Sequence, residues 1–102
     1  MEIEFDASKD EANRAKHGCS LAEAARLDWD AALVIQDDRQ DYGEERYIVT
    51  APIEGRLCVT VLTPRAERMR IISLRRANRR ESKRYAKAIT KASIQVDPAD
   101  GG

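Results

Sequence analysis

With 102 residues the chain has room for one domain and one modest core, and at 42% hydrophobic but 5% aromatic that core must come from Val, Ile, Leu and Ala. No apolar run approaches the roughly 20 residues that span a bilayer, and the acidic start Glu2-Ile3-Glu4-Phe5-Asp6 lacks a secretory layout, so a cytoplasmic protein with no membrane role is expected. Cys19 and Cys58 form no CxxC pair and His17 is the only histidine, which argues for reduced thiols, no structural zinc and no cofactor.

Asp6 can cap a helix over about 7–16, with Gly18 as its stop. Ser20 and Glu23 form a capping box for a second short helix, roughly 21–28. Leu33-Val34-Ile35 reads as a short strand that ends in the polar stretch 37–43. Three more strands follow: 46–51, ending at Pro52; 57–63, rich in Val and Thr; and 68–74. In the last of these, Met69, Ile71 and Ser73 alternate with Arg70, Ile72 and Leu74. Glu54-Gly55 and the stretch 64–67 supply the turns, so a meander is expected. Asn78 with Glu81 starts a final helix through about Thr90, with Tyr85 and Ile89 on its buried side. The expected class is α+β, a helix-flanked antiparallel sheet in the order α-α-β-β-β-β-α, with one domain over 1–92 and a flexible tail over 93–102.

The zero net charge hides a split. Residues 1–55 hold 6 basic and 14 acidic side chains, and residues 56–102 hold 12 and 4. Such asymmetry points to a nucleic-acid surface in the C-terminal half, or to two halves that pair with each other across the fold. Arg68, Arg70, Arg75, Arg76, Arg79, Arg80 and Arg84 dominate the region, with Lys83 and Lys87. Guanidinium groups grip phosphate bidentately and stack on bases, which favours RNA as the polyanion. No Walker loop, GxGxxG, HExxH or nucleophile elbow is present, so nucleotide-dependent and zinc-peptidase chemistry is not supported.

Several strings resemble one family as a set. Phe5-Asp6, Lys9, Asn13, Lys16-His17-Gly18, Ser20 and Glu23-Ala24 are similar to the N-terminal signature of BrnT-type toxins. Glu45-Arg46, Gly55-Arg56 and Thr63-Pro64-Arg65 follow in order, and Arg70-Ile71-Ile72-Ser73, Arg75-Arg76-Ala77, Glu81 and Tyr85 resemble its C-terminal signature. The resemblance spans roughly 3–86. Phe5 stands where the family has Trp, and Leu62 where it has Tyr.

The resemblance implies a RelE-like fold and a ribonuclease toxin of a type II toxin–antitoxin pair. It further implies a BrnA-like antitoxin with a ribbon-helix-helix DNA-binding domain, in a complex of two toxins with an antitoxin dimer that reaches operator DNA only through the antitoxin. On that reading RNA is cut without a metal and translation stops. Arg65, Arg75 and Arg79 are expected to clamp the phosphate, and His17 to transfer protons, with Glu45 and Tyr85 as further catalytic candidates. Lys16, Arg70, Arg76, Arg80, Lys83 and Arg84 are expected to hold RNA by general electrostatics. The alternative is a non-catalytic nucleic-acid-binding protein or an inactivated toxin.

Overall fold

In this computed structural model residues 2–96 are described, with side chains described through residue 90. The order is β1 (Ile3–Glu4), α1 (Ala7–His17), two 3-10 segments (Leu21–Arg26 and Trp29–Ala31), β2 (Leu33–Gln36), β3 (Tyr47–Ile53), β4 (Arg56–Arg65), β5 (Arg68–Arg76) and α2 (Arg79–Val96). The five strands make one sheet in the order β1-β5-β4-β3-β2. The α+β class is as expected, with two corrections. The short strand β1 precedes α1 and runs parallel to β5, through Ile3–Met69 and Glu4–Arg70, so the sheet is mixed. The second helix is a 3-10 segment, although its Ser20–Glu23 capping box forms as expected.

Helix α1 starts where Asp6 accepts from Ser8 N and Lys9 N, and ends at Gly18, whose φ of 72° suits glycine. Asp10 then accepts from Ser20 Oγ and Leu21 N, at 3.1 and 2.7 Å, which fixes the corner into the 3-10 segment. Leu21, Ala24 and Leu27 pack with Val49, Ala51 and Leu74 in the core. Strand β1 covers only Met69 and Arg70 of β5, leaving the rest of that edge to be satisfied otherwise. The buried Asn13 does so at Leu74. Its Nδ2 donates to Leu74 O and Cys19 O at 2.7 and 2.8 Å, and its Oδ1 accepts from Leu74 N at 3.1 Å. A side-chain amide thus imitates one peptide of a neighbouring strand.

Strand β3 continues through Pro52 to Ile53, two residues past its expected end. The Glu54-Gly55 turn, with φ of 50° and 80°, makes Ile53–Arg56 the hydrogen-bonded closing pair. Pro52–Leu57 is then a non-bonded pair, and the proline nitrogen points away from β4, beyond the end of β2. A bulge in β5 matters more for function. Val61 pairs Ser73 and Leu62 pairs Ile71, so Ile72 is the extra residue. The expected simple alternation is broken: Ile71 and Leu74 both enter the core, and Arg70 and Arg75 share a face. Without the bulge their odd spacing would send them to opposite faces.

Helix α2 runs six residues past the expected Thr90. Residues 97–102, the remainder of the expected tail, lie outside the described residues. No helix of the described residues is long and apolar enough to cross a membrane.

Candidate nucleic-acid interface

One face of the sheet is covered by α1 and the 3-10 segments, and the other carries the candidate site. Ladder pairing aligns Leu33, Thr50, Val59 and Arg75 in one row, and Ile35, Ile48, Val61 and Ser73 in the next. Both rows point away from α1. The first turns of α2 cross this face, and together they bound an open groove of about 430 Å³. Its floor mixes the aliphatic Leu33, Ile35, Ile48, Val59 and Val61 with the hydroxyls of Thr50 and Ser73. Its rim carries Arg39, Arg75 and Arg84, with Glu81 and Tyr85.

The start of α2 sets the rim. Asn78 Oδ1 accepts from Glu81 N at 2.8 Å and Glu81 Oε1 accepts from Asn78 N at 2.9 Å, the reciprocal cap expected from sequence. The same Glu81 carboxylate accepts two 2.7 Å bonds from Arg75. The Arg75 hydrogen bonds hold Glu81 at about 2, against an ordinary 4.5, and Glu81 in turn raises Arg75. Two residues after Lys83, the hydroxyl of Tyr85 donates to Ala31 O and pins α2 beside β2. Arg39 enters the rim from the loop after β2. The buried Asp37 grips it at 2.7 and 2.8 Å and also accepts from Tyr42, and the Arg39 hydrogen bonds hold Asp37 at about 2.

Both readings of the charge split are realised, in different places. Arg65 pairs with Glu44, Arg68 with Glu2 and Arg70 with Glu4, so sheet arginines are neutralised by the acidic half. Among the described residues Arg76, Arg79, Arg80, Lys83, Arg84 and Lys87 make no ion pair. These cations, most of them on α2, concentrate positive charge along that helix.

The expected site residues fall into three groups. Arg75, Arg79, Arg80, Lys83, Arg84 and Tyr85 gather where α2 begins. Arg65 and Glu45 lie at the other end of the sheet. Val59 pairs Arg75, so Arg65, six residues further along β4, is roughly 20 Å away at ~3.3 Å per residue. There Glu45 accepts from Tyr47 Oη at 3.0 Å and its carbonyl accepts from Thr63 Oγ1. Lys16 and His17 end α1, on the opposite face from Arg75. Gly18 beside them lines a second pocket of about 300 Å³ with Arg56 and Arg76. Arg70 is held by Glu4. Arg39 was not legible as a site residue, because nothing in a polar loop tells which side of a sheet it will fold against. No group of His, Cys, Asp and Glu able to hold a metal ion occurs among the described residues.

The fold and the site define a small α+β protein with an arginine-rimmed groove on the exposed face of its sheet. Residues 5–81 match the family described as ribonuclease toxin, BrnT, of type II toxin–antitoxin systems, and the chain belongs to that family. The match includes Arg75, Arg79 and Glu81 and stops before Arg84 and Tyr85. Membership implies a protein antitoxin as partner. Comparison with curated proteins gives no significant match.

Proposed function

We propose that the chain cleaves RNA without a metal and so halts translation, and that a BrnA-like antitoxin with a ribbon-helix-helix domain neutralises it in a complex of two toxins and two antitoxins. The fold is read as RelE-like, over a single domain of residues 1–92. The observation that carries this reading is the cluster of cations on the first turns of α2 that make no ion pair among the described residues, set beside the rigidly held Arg75. Such an array has little structural use and favours a phosphate backbone.

In the proposed reaction the ribose 2′-hydroxyl attacks the adjacent phosphorus as its proton passes to a base. The bond from phosphorus to the 5′-oxygen breaks, and that oxygen takes a proton from an acid. The products are a 2′,3′-cyclic phosphate and a 5′-hydroxyl end. Arg75 and Arg79 stabilise the charge on the phosphorane oxygens, with Arg39 and Arg84 beside them. Arg80 and Lys83 hold the flanking backbone. Proton transfer is assigned to His17, because an imidazole can both give and take a proton. His17 and Arg75 lie near the same end of β5 on opposite faces, so the assignment requires the scissile phosphate to sit at this end, where the RNA passes round the edge of the sheet within reach of both, with Lys16 and Arg76 on the His17 side. Tyr85 positions α2 through Ala31. Arg65 bears on RNA that runs the length of the groove face, so its removal should weaken binding more than it slows cleavage, whereas Glu45, a carboxylate at the same end, gives no hold on the phosphates.

The test is RNA digestion by purified His17→Ala and Arg79→Ala variants. Loss of cleavage with antitoxin binding retained supports the assignment. Full activity in both would sink it.

A further inference from the structure

The pocket beside His17 has no role in the reaction above beyond the charge of Arg76. It opens where α1 ends at Gly18 and where β3 turns into β4. At about 300 Å³ it suits one flat heterocycle rather than a peptide. Its floor is Ile53, Cys19 and Cys58, all buried. Burial pushes the Cys58 thiol up, so that part of the floor is neutral at pH 7. Arg56 and Arg76 line the mouth, both exposed, and neither makes an ion pair among the described residues. Two carboxylates join them, and they differ. Glu54 is taken by Arg26. Glu23 accepts from Ser20 N through Oε2 at 2.9 Å, and its Oε1 has no hydrogen bond among the described residues.

We infer that this pocket seats a guanine base of the RNA beside the scissile phosphate, and so selects where the RNA is cut. The inference rests on the ribonuclease reading above and names the base that reading leaves open. Guanine alone among the four RNA bases presents two adjacent donors, N1–H and N2–H, to one carboxylate. Adenine and cytosine set an acceptor beside a single amino donor, and uracil sets one donor between two acceptors. Each of these would turn a lone pair toward Glu23. The two guanidinium groups at the mouth complete the fit, one donating to O6 and N7 and the other stacking on the ring. Gly18 follows His17, and Arg76 follows Arg75. A base held here therefore keeps its phosphate at the end of the sheet where the reaction is assigned.

The test titrates the full chain with the 3′- and 5′-monophosphates of the four nucleosides, followed by NMR, and maps the cuts made in a mixed-sequence RNA. Wild type should bind the guanosine monophosphates about tenfold tighter than the others or more. The amide signals of Gly18 and Cys19 should move on binding, and the cuts should fall next to guanines. Glu23→Gln keeps an oxygen for Ser20 N, since Gln also serves in capping boxes, and presents an amide N–H to the guanine donors. This variant should lose both the tenfold margin and the guanine preference of the cuts. Equal binding of the four nucleotides by wild type, or no binding of any, would overturn the pocket, and that comparison needs no variant to fold. A guanine preference unchanged in Glu23→Gln would overturn it too. Cuts without base preference, with equal nucleotide binding, remove the pocket and leave the ribonuclease reading standing. Selective guanine binding with no RNA cut overturns the ribonuclease reading and leaves a free guanine nucleotide as the ligand.

Discussion

Replacing Glu81 with Gln removes one negative charge from the junction of β5 and α2 and keeps an oxygen for the Asn78 cap. Moving the carboxyl from 4.5 to about 2 corresponds to about 3 kcal/mol of stabilisation at pH 7. The Arg75 side chain is 37% exposed, so solvent screening reduces this, and a cost of about 1.5 kcal/mol is expected. Urea unfolding of wild type and variant over a pH series reads it directly. The folded value is depressed, so the contribution is complete above about pH 4.5 and is lost as pH falls through about 2. The variant should therefore be less stable at pH 7, and the two curves should converge as pH approaches 2. Cleavage should also fall roughly tenfold or more, because Arg75 loses its fixed aim. A stability difference that stays constant from pH 7 to pH 2.5 would refute the ion-pair argument and leave only a capping effect.

Other outcomes follow from the same geometry. Asn13→Ala leaves the buried Leu74 N–H without its acceptor and two carbonyls without their donor, and should cost about 3 kcal/mol in urea unfolding; a cost under about 0.5 kcal/mol would mean water replaces the amide. Tyr85→Phe loses the bond to Ala31 O and should lower stability by about 1 kcal/mol, with cleavage changed only a fewfold. A hundredfold loss of kcat at unchanged stability would instead give that hydroxyl a chemical role. RNA affinity should fall steeply with salt, and Arg80→Ala should make the dependence of log Kd on log salt shallower by roughly 0.7. An unchanged slope would remove Arg80 from the phosphate path.

Much of this architecture was legible because local chemistry determined it. Asp6, Gly18, the Ser20–Glu23 box and the Asn78–Glu81 box are short-range capping signals, and the structure uses all of them. Strand β1 has two residues and is defined only by its partner, so no periodicity could reveal it. The bulge at Ile72 was hidden for a related reason: an extra residue shows only against the opposing strand. It decides the site, because it puts Arg75 on the exposed face. The arginine cluster could be read as a set, but its division could not. Arg65, Arg68 and Arg70 meet carboxylates distant in sequence, whereas Arg79, Arg80 and Arg84 meet none among the described residues. His17 was expected near the phosphate clamps, and α1 instead packs on the other face of the sheet. Helix packing side is a tertiary property that a lone Lys-His-Gly string does not encode.

Digestion of a defined RNA in the presence of a metal chelator, with the new ends mapped, tests the central claim most directly. The account predicts cleavage that persists with chelator, yields 2′,3′-cyclic phosphate and 5′-hydroxyl ends, and is lost in Arg75→Ala and Arg79→Ala. Intact RNA, or cleavage that returns only when a divalent cation is added, would contradict it.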